Sequence, residues 1–207
     1  MRLVLLGPPA SGKGTQAAVL TGQLRVPQIS TGEMLRAARK AGTTLGKEAE
    51  SFMTAGKLVP DEVVIGLVAE RLNEDDAQDG FILDGFPRTV PQAEALSKLL
   101  EARQTPLDAV LQIDVSRDLL LERATLRRTD KRTGQIYHLK YNPPPADADL
   151  EHRADDQEDT VKTRLDQYDA MTAALLPHYQ ERGLLKRVDG VGNPQDVTSR
   201  LLAALPA

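Results

Sequence analysis

The sequence predicts an α/β protein, a mainly parallel sheet covered by helices on both faces. Short apolar runs recur at Leu3-Val4-Leu5-Leu6, Phe81-Ile82-Leu83, Ala109 to Val115 and Leu184 to Val188, and helical patterns such as Asp61 to Leu72 and Ser116 to Arg128 separate them. The first run also breaks into a glycine-rich loop that opens a helix. A run that is apolar at every position reads as a strand buried on both faces, and such strands alternating with helices make a parallel sheet between two helical layers.

In chain order, Leu3 to Leu6 is stopped by Gly7-Pro8-Pro9, and Lys13 to Leu24 follows as a helix. Ser30-Thr31-Gly32-Glu33 spells a capping box ahead of Met34-Leu35, so a helix starts at Ser30 with an N-terminus that could face a ligand. Asp61, after Pro60, starts another. From Thr129 to Arg153 there is no sustained period: Thr133-Gly134, the prolines at 143–145 and scattered acids mark an excursion from the sheet. Within it Thr129, Asp130 and Thr133 can bond the turn around Gly134, and Tyr137, Leu139 and Tyr141 alternate as a strand does, so a small hairpin is expected. A long helix, 158–182, then carries Val161, Leu165, Tyr168, Thr172 and Leu175 at helical spacing, with a kink expected at Pro177.

A chain of 207 residues with 41% hydrophobic content suits one domain with one sizeable core, and no linker or repeat divides it. With 26 basic and 30 acidic side chains the net charge is -4, which gives no global attraction to nucleic acid or to an anionic membrane; an anion site must be made locally. There is no cysteine, so disulfides and thiolate metal sites are excluded. The run Leu3 to Leu6 is too short for a signal-peptide core, and no stretch approaches the roughly 18 apolar residues of a membrane span. The expectation is a cytoplasmic, monomeric protein with a small-molecule partner.

The chemistry concentrates in a few stretches. GPPASGKGTQ, Gly7 to Gln16, nearly spells the phosphate-binding loop, with Gly14 where a hydroxyl usually follows the lysine and Thr15 one place late. Its glycines let backbone N–H groups converge on a phosphate, Lys13 adds a mobile charge, and the helix adds its positive end. FILDGFPR, Phe81 to Arg88, puts Asp84 at the C-terminal end of a buried strand, where it either caps a helix or holds magnesium through water. Arg36, Arg88, Arg123, Arg127, Arg153 and Arg164 accumulate where a phosphate chain needs them. Each alone reads as a solvated helix residue; as a set they flank the excursion, Arg123 and Arg127 one helical turn apart before it and Arg153 and Arg164 after it. No general base accompanies them, since His138, His152 and His178 are scattered. An acceptor that is itself a phosphate, with a second pKa of about 6, needs none.

Together Gly7 to Thr15, Ile29 to Gly32, Met34-Leu35-Arg36, Gly56 to Val59, Asp84 to Thr89 with Gln92, Arg127-Arg128 and Asp155-Asp156-Gln157 resemble adenylate kinases of the long-lid type, almost from Met1 to Pro194. The resemblance implies a P-loop NTPase-type core over 1–29, 60–125 and 157–207, with two mobile insertions, an NMP-binding one at 30–59 and a lid at 126–156. It implies the reaction ATP + AMP ⇌ 2 ADP with Mg2+. Ala10, Ser11, Gly12, Lys13, Gly14 and Thr15 would hold the ATP phosphates, clamped by Arg123 and Arg127, with Ile136, Tyr137 and Gly192 along the ATP base. Thr31, Arg36, Lys57, Leu58, Val59, Gly85, Phe86, Pro87, Arg88 and Arg164 would line the AMP site, Gln92 would read its adenine edge, and Arg153 would complete the closed site.

Three departures stand out. Ala10 occupies a slot where many members carry glycine; the segment 142–153 is short and lacks the four zinc-binding cysteines of some lids; and Gly190 to Pro194 carries one extra residue. No zinc is expected. The alternatives are a GTP:AMP or other nucleoside monophosphate kinase, and a regulatory module that binds ATP and AMP without turnover.

Overall fold

The computed structural model describes residues 1–206. Its strands are β1 (Arg2–Leu6), β2 (Gln28–Ser30), β3 (Phe81–Asp84), β4 (Ala109–Asp114), β5 (Arg127–Asp130), β6 (Ile136–His138), β7 (Leu150–Glu151) and β8 (Leu185–Asp189). Five form a parallel sheet in the order β2-β3-β1-β4-β8, and three form a separate antiparallel sheet in the order β6-β5-β7. The helices are α1 (Lys13–Leu24), α2 (Thr31–Lys40), α3 (Thr44–Thr54), α4 (Asp61–Arg71), α5 (Val90–Ala102), α6 (Arg117–Thr125), α7 (Glu158–Gln167), α8 (Leu175–Glu181) and α9 (Pro194–Ala203). None is long and apolar enough to cross a membrane.

The unbroken apolar run in β1 is explained by its two neighbours and two faces. Val4 lies between Leu83 and Val110 in register. Val4 and Leu6 point to a core shared with Val68 of α4, Leu96 of α5 and Tyr179 of α8. Leu3 and Leu5 point the other way, to Leu20 of α1, Leu120 of α6 and Leu201 of α9. Each of these buried leucines stabilises the fold by about 2 kcal/mol.

From β1 the chain runs to the edge at β2, returns through β3, and crosses to β4 on the far side. The reversal opens a crevice at the carboxyl ends of β1 and β3, and the Gly7 loop and Asp84 lie there.

Four local expectations are corrected. The helix after Ser116 stops at Thr125, because the chain turns to pair Arg127 with His138 in an antiparallel ladder. Arg123 and Arg127 are therefore not helical neighbours. The long helix is broken before Pro177: Tyr168–Thr172 forms a π-helical turn, with Ala173 N–H donating to Tyr168 C=O, and Pro177 sits in the first turn of α8, where a missing N–H costs nothing. Ser30 is the N-cap of α2 but makes no side-chain cap bond, since it is also the last residue of β2. In the excursion Asp130 accepts from the N–H groups of Arg132 and Thr133, and Thr133 accepts from Gln135, whereas the buried Thr129 hydroxyl has no partner. The hairpin exists, but β6 ends at His138, so Leu139 and Tyr141 lie in the turn beyond it.

Candidate active site

The loop between β1 and α1 is wound tightly enough to need unusual backbone angles. Gly12 caps α1 at φ 97°, and Ala10 stands at φ 63°, a left-handed conformation that an L side chain adopts only under strain. Lys13 Nζ folds over the loop and donates to Gly7 O at 2.6 Å and Pro8 O at 2.8 Å, with Ser11 Oγ at 3.4 Å. Burial pushes this ammonium down to about 8; Asp84 opposes that, and Arg88, Arg164 and Arg127 reinforce it. A Cβ at Gly14 would lie 3.7 Å from Asp84 Oδ2, so the residue after the lysine faces the strand acid without crowding it. Thr15 is exposed beside it.

Asp84 is nearly buried and its Oδ2 accepts from Gln28 Nε2 at 3.1 Å. Among the described residues no three His, Cys, Asp or Glu side chains converge on a point, so a divalent cation here would rest on this single carboxylate together with substrate phosphates and water, the arrangement magnesium favours.

Arg88 is fixed from three directions. Its N–H donates to Gln92 Oε1 at 2.7 Å, its Nε donates to Gly85 O at 2.8 Å, and its carbonyl accepts from Thr172 Oγ1 at 3.0 Å. Thr31 Oγ1 shares Gly85 O at 2.9 Å. Gly85, at φ 78°, must be glycine: a Cβ would sit 3.0 Å from Arg88 Nη2 and 3.1 Å from Thr31 Oγ1. Burial, then Arg164 and Arg36, pushes Arg88 down to about 10, still fully charged at neutral pH. Arg153 is pushed to about 10 in the same way, by burial and then Arg36 and Arg127.

This crowd of cations is balanced by two acids, Asp155 and the fully buried Asp156. Burial pushes the Asp155 carboxyl up, but Arg164, Arg127, Arg36 and Arg153 outweigh it and hold it below its usual value. Asp155 also binds Arg164 Nη1 at 3.0 Å.

Two cavities share this wall. The smaller is lined by Thr31, Arg36, Lys57, Leu58, Val59, Gly85, Arg88, Gln92 and Arg164. The larger, about 720 Å3 and partly open to solvent, runs from Ala10 to Thr15, past Asp84, Pro87 and Arg153, to Arg123, Arg127, Ile136, Tyr137 and Gly192. Arg36, Arg88 and Arg164 line both. Of the residues expected in the site only Phe86 reaches neither, being fully buried in the core.

The structure adds residues that sequence reasoning did not single out. Asp61 receives Thr89 Oγ1 at 2.8 Å and Gln92 Nε2 at 2.7 Å; read alone, it is a helix-start acid. Thr172 and Tyr168 line the large cavity, although their spacing reads as a core stripe. Tyr141 joins them, its OH 2.6 Å from Glu122 Oε1 and its ring stacked 4.6 Å from His138. Arg123 Nη2 donates to Gly190 O at 3.1 Å, tying α6 to the loop before α9.

The chain matches a family model described as adenylate kinase over residues 5–184. A protein named adenylate kinase from Sorangium cellulosum is 59% identical over 99% of this chain and 96% of its own length. One from Moorella thermoacetica is 56% identical over 92% of this chain and 91% of its own length, and one from Thermodesulfovibrio yellowstonii is 49% identical over 99% of each.

Proposed function

Because this chain belongs to the adenylate kinase family, we propose that it reversibly transfers the γ-phosphoryl group of ATP to AMP, yielding two ADP. The observation that carries the reading within the structure is the shared wall: Arg36, Arg88 and Arg164 face both cavities, so a phosphate in the small one and a phosphate chain in the large one would meet at one set of guanidiniums. AMP takes the smaller cavity, with 30–59 as the segment that encloses it, and ATP takes the larger, under 126–156.

The AMP phosphate oxygen attacks the γ-phosphorus, the bond from that phosphorus to the β–γ bridging oxygen breaks, and that oxygen leaves on ADP. No proton is abstracted, which fits the absence of a histidine on the shared wall. Lys13 leaves the loop carbonyls for the phosphates and follows the charge that develops between donor and acceptor. Arg88 needs no rearrangement, since its backbone and Nε are already held. Asp84, through water, would hold the magnesium that the family uses, which when bound neutralises charge on the donor phosphates.

The test is ADP formation from ATP with AMP, GMP, CMP and UMP in turn. AMP should exceed the other acceptors in kcat/KM by at least about a hundredfold. Equal rates with a pyrimidine monophosphate, or ATP consumption indifferent to the acceptor, would overturn the assignment.

A further inference from the structure

We propose that Asp61 is a specificity-determining positioning residue: by accepting from Gln92 Nε2 it fixes which way the Gln92 carboxamide faces, and so makes that amide read adenine and refuse guanine. The proposal rests on the reading of Gln92 as the residue that meets the acceptor base.

A glutamine amide is by itself ambiguous. Rotated by half a turn it exchanges donor for acceptor, and it would then suit the edge of either purine. Gln92 has no such freedom. On one side the Arg88 backbone N–H, which can only donate, lies 2.7 Å from Oε1; on the other the Asp61 carboxylate, which when ionised can only accept, lies 2.7 Å from Nε2. A flipped amide would set N–H against N–H and oxygen against oxygen in a residue that is 2% exposed. Asp61 is itself oriented, its other oxygen taking the Thr89 hydroxyl at 2.8 Å. It stands in the first turn of α4, and Thr89 caps α5, so the arrangement is held between two helix starts.

The two internal bonds together use half of the amide's capacity. One N–H and one oxygen lone pair remain for the cavity that Gln92 lines. Adenine offers an amino donor at N6 beside a ring-nitrogen acceptor, which such an acceptor–donor pair matches. Guanine puts O6 where the amino group was, and O6 would face Oε1 with no proton between them.

The experiment compares kcat/KM for AMP and GMP, at saturating ATP, in the wild-type protein and in Asp61→Ala, Asp61→Asn, Gln92→Ala and the double variant Asp61→Ala/Gln92→Ala. The AMP-to-GMP ratio should fall about tenfold or more in Asp61→Ala, through KM for the acceptor and not KM for ATP. Asp61→Asn retains an oxygen acceptor and should recover most of the ratio. The double variant should discriminate no less than Gln92→Ala, because Asp61 acts only through the amide. Asp61→Ser gives the same readout should the alanine variant not fold. A ratio unchanged in Asp61→Ala and Asp61→Ser, with Gln92→Ala collapsing it, would overturn the role of Asp61 and leave Gln92 as reader. A ratio unchanged in Gln92→Ala would overturn both.

Discussion

Arg127 and Asp156 meet fork to fork: Nε lies 2.8 Å from Oδ2 and Nη2 lies 2.5 Å from Oδ1, with the carboxylate fully buried. One residue comes from β5 and the other from the turn that leads into α7, so the pair ties the small antiparallel sheet to the helix that carries Arg164. A bidentate pair of this kind fixes position as well as charge.

Removing one partner of such a pair leaves a charge without compensation. Asp156→Ala should destabilise the fold by on the order of 3 kcal/mol, and Asp156→Asn by less because a neutral amide oxygen still accepts one bond. Thermal unfolding should show the alanine variant melting roughly 10 °C lower. A melting temperature unmoved by Asp156→Ala would mean that the pair holds nothing together.

Lys13 belongs to neither buried core, and under the proposed mechanism it follows the transferring charge, so Lys13→Met should abolish transfer and leave the fold intact. Steady-state assay and circular dichroism check the two halves separately. Near-normal turnover would remove the lysine from the mechanism.

The same lysine predicts a pH dependence. In the folded chain its pKa is about 8, lowered from 10.5, so between those values the unfolded chain holds a proton that the folded chain has released. This group therefore favours folding increasingly as pH rises through that window, and below about 8 the folded chain bears the cost of a buried charge. A polyphosphate beside Nζ reverses the balance. Calorimetry of ATP binding at pH 8.5 in buffers of different ionisation enthalpy should register proton uptake, which Lys13→Met abolishes.

Ala10 at φ 63° carries roughly 1 kcal/mol of backbone strain. Ala10→Gly relieves it but frees the unfolded chain by a similar amount, so stability should change little. Ala10→Val, β-branched in the same conformation, should lower stability by more than about 1 kcal/mol and weaken ATP binding. Equal melting temperatures for the alanine and valine proteins would contradict the strained loop.

How much of this was legible beforehand depends on which residues carry the signal. β1, β3 and β4 could be read because each carries a run of three or four consecutive apolar residues, Leu3 to Leu6, Phe81 to Leu83 and Ala109 to Leu111, buried on both faces. β2, with Ile29 alone apolar between Gln28 and Ser30, is a strand only because β3 lies beside it. β5, spelled Arg127-Arg128-Thr129-Asp130, has no strand pattern at all; its antiparallel neighbours make it one. The π-helical turn was hidden because Tyr168 and Thr172 keep helical spacing, while the Thr172 hydroxyl is spent on the Arg88 carbonyl, a partner distant in sequence. The arginines could be listed from sequence but not paired, since the acids that balance them are neighbours only in space.

The antiparallel sheet contributes nothing to either buried core, which draws no residue from 126–156. Replacing that segment by a glycine-serine linker should therefore leave a folded protein, the more so because Arg127 and Asp156 are removed together. It should lose most transfer and hydrolyse a larger share of its ATP, with water admitted to the γ-phosphate. Zinc chelators should leave the melting temperature of the intact chain unchanged. A fully active linker variant, or a chelator-induced drop, would contradict this role for the segment.

In the proposed reaction a phosphoryl group passes directly from ATP to AMP across the wall of Arg36, Arg88 and Arg164. This transfer is tested most directly by supplying ATP labelled at the γ-phosphorus together with unlabelled AMP and following the label at early times. Direct transfer places the label in the β-phosphate of ADP formed from AMP, at a rate equal to ATP consumption, with no more than a trace of labelled inorganic phosphate. Label released as inorganic phosphate in proportion to ATP consumed, or ATP consumption that does not require AMP, would contradict it.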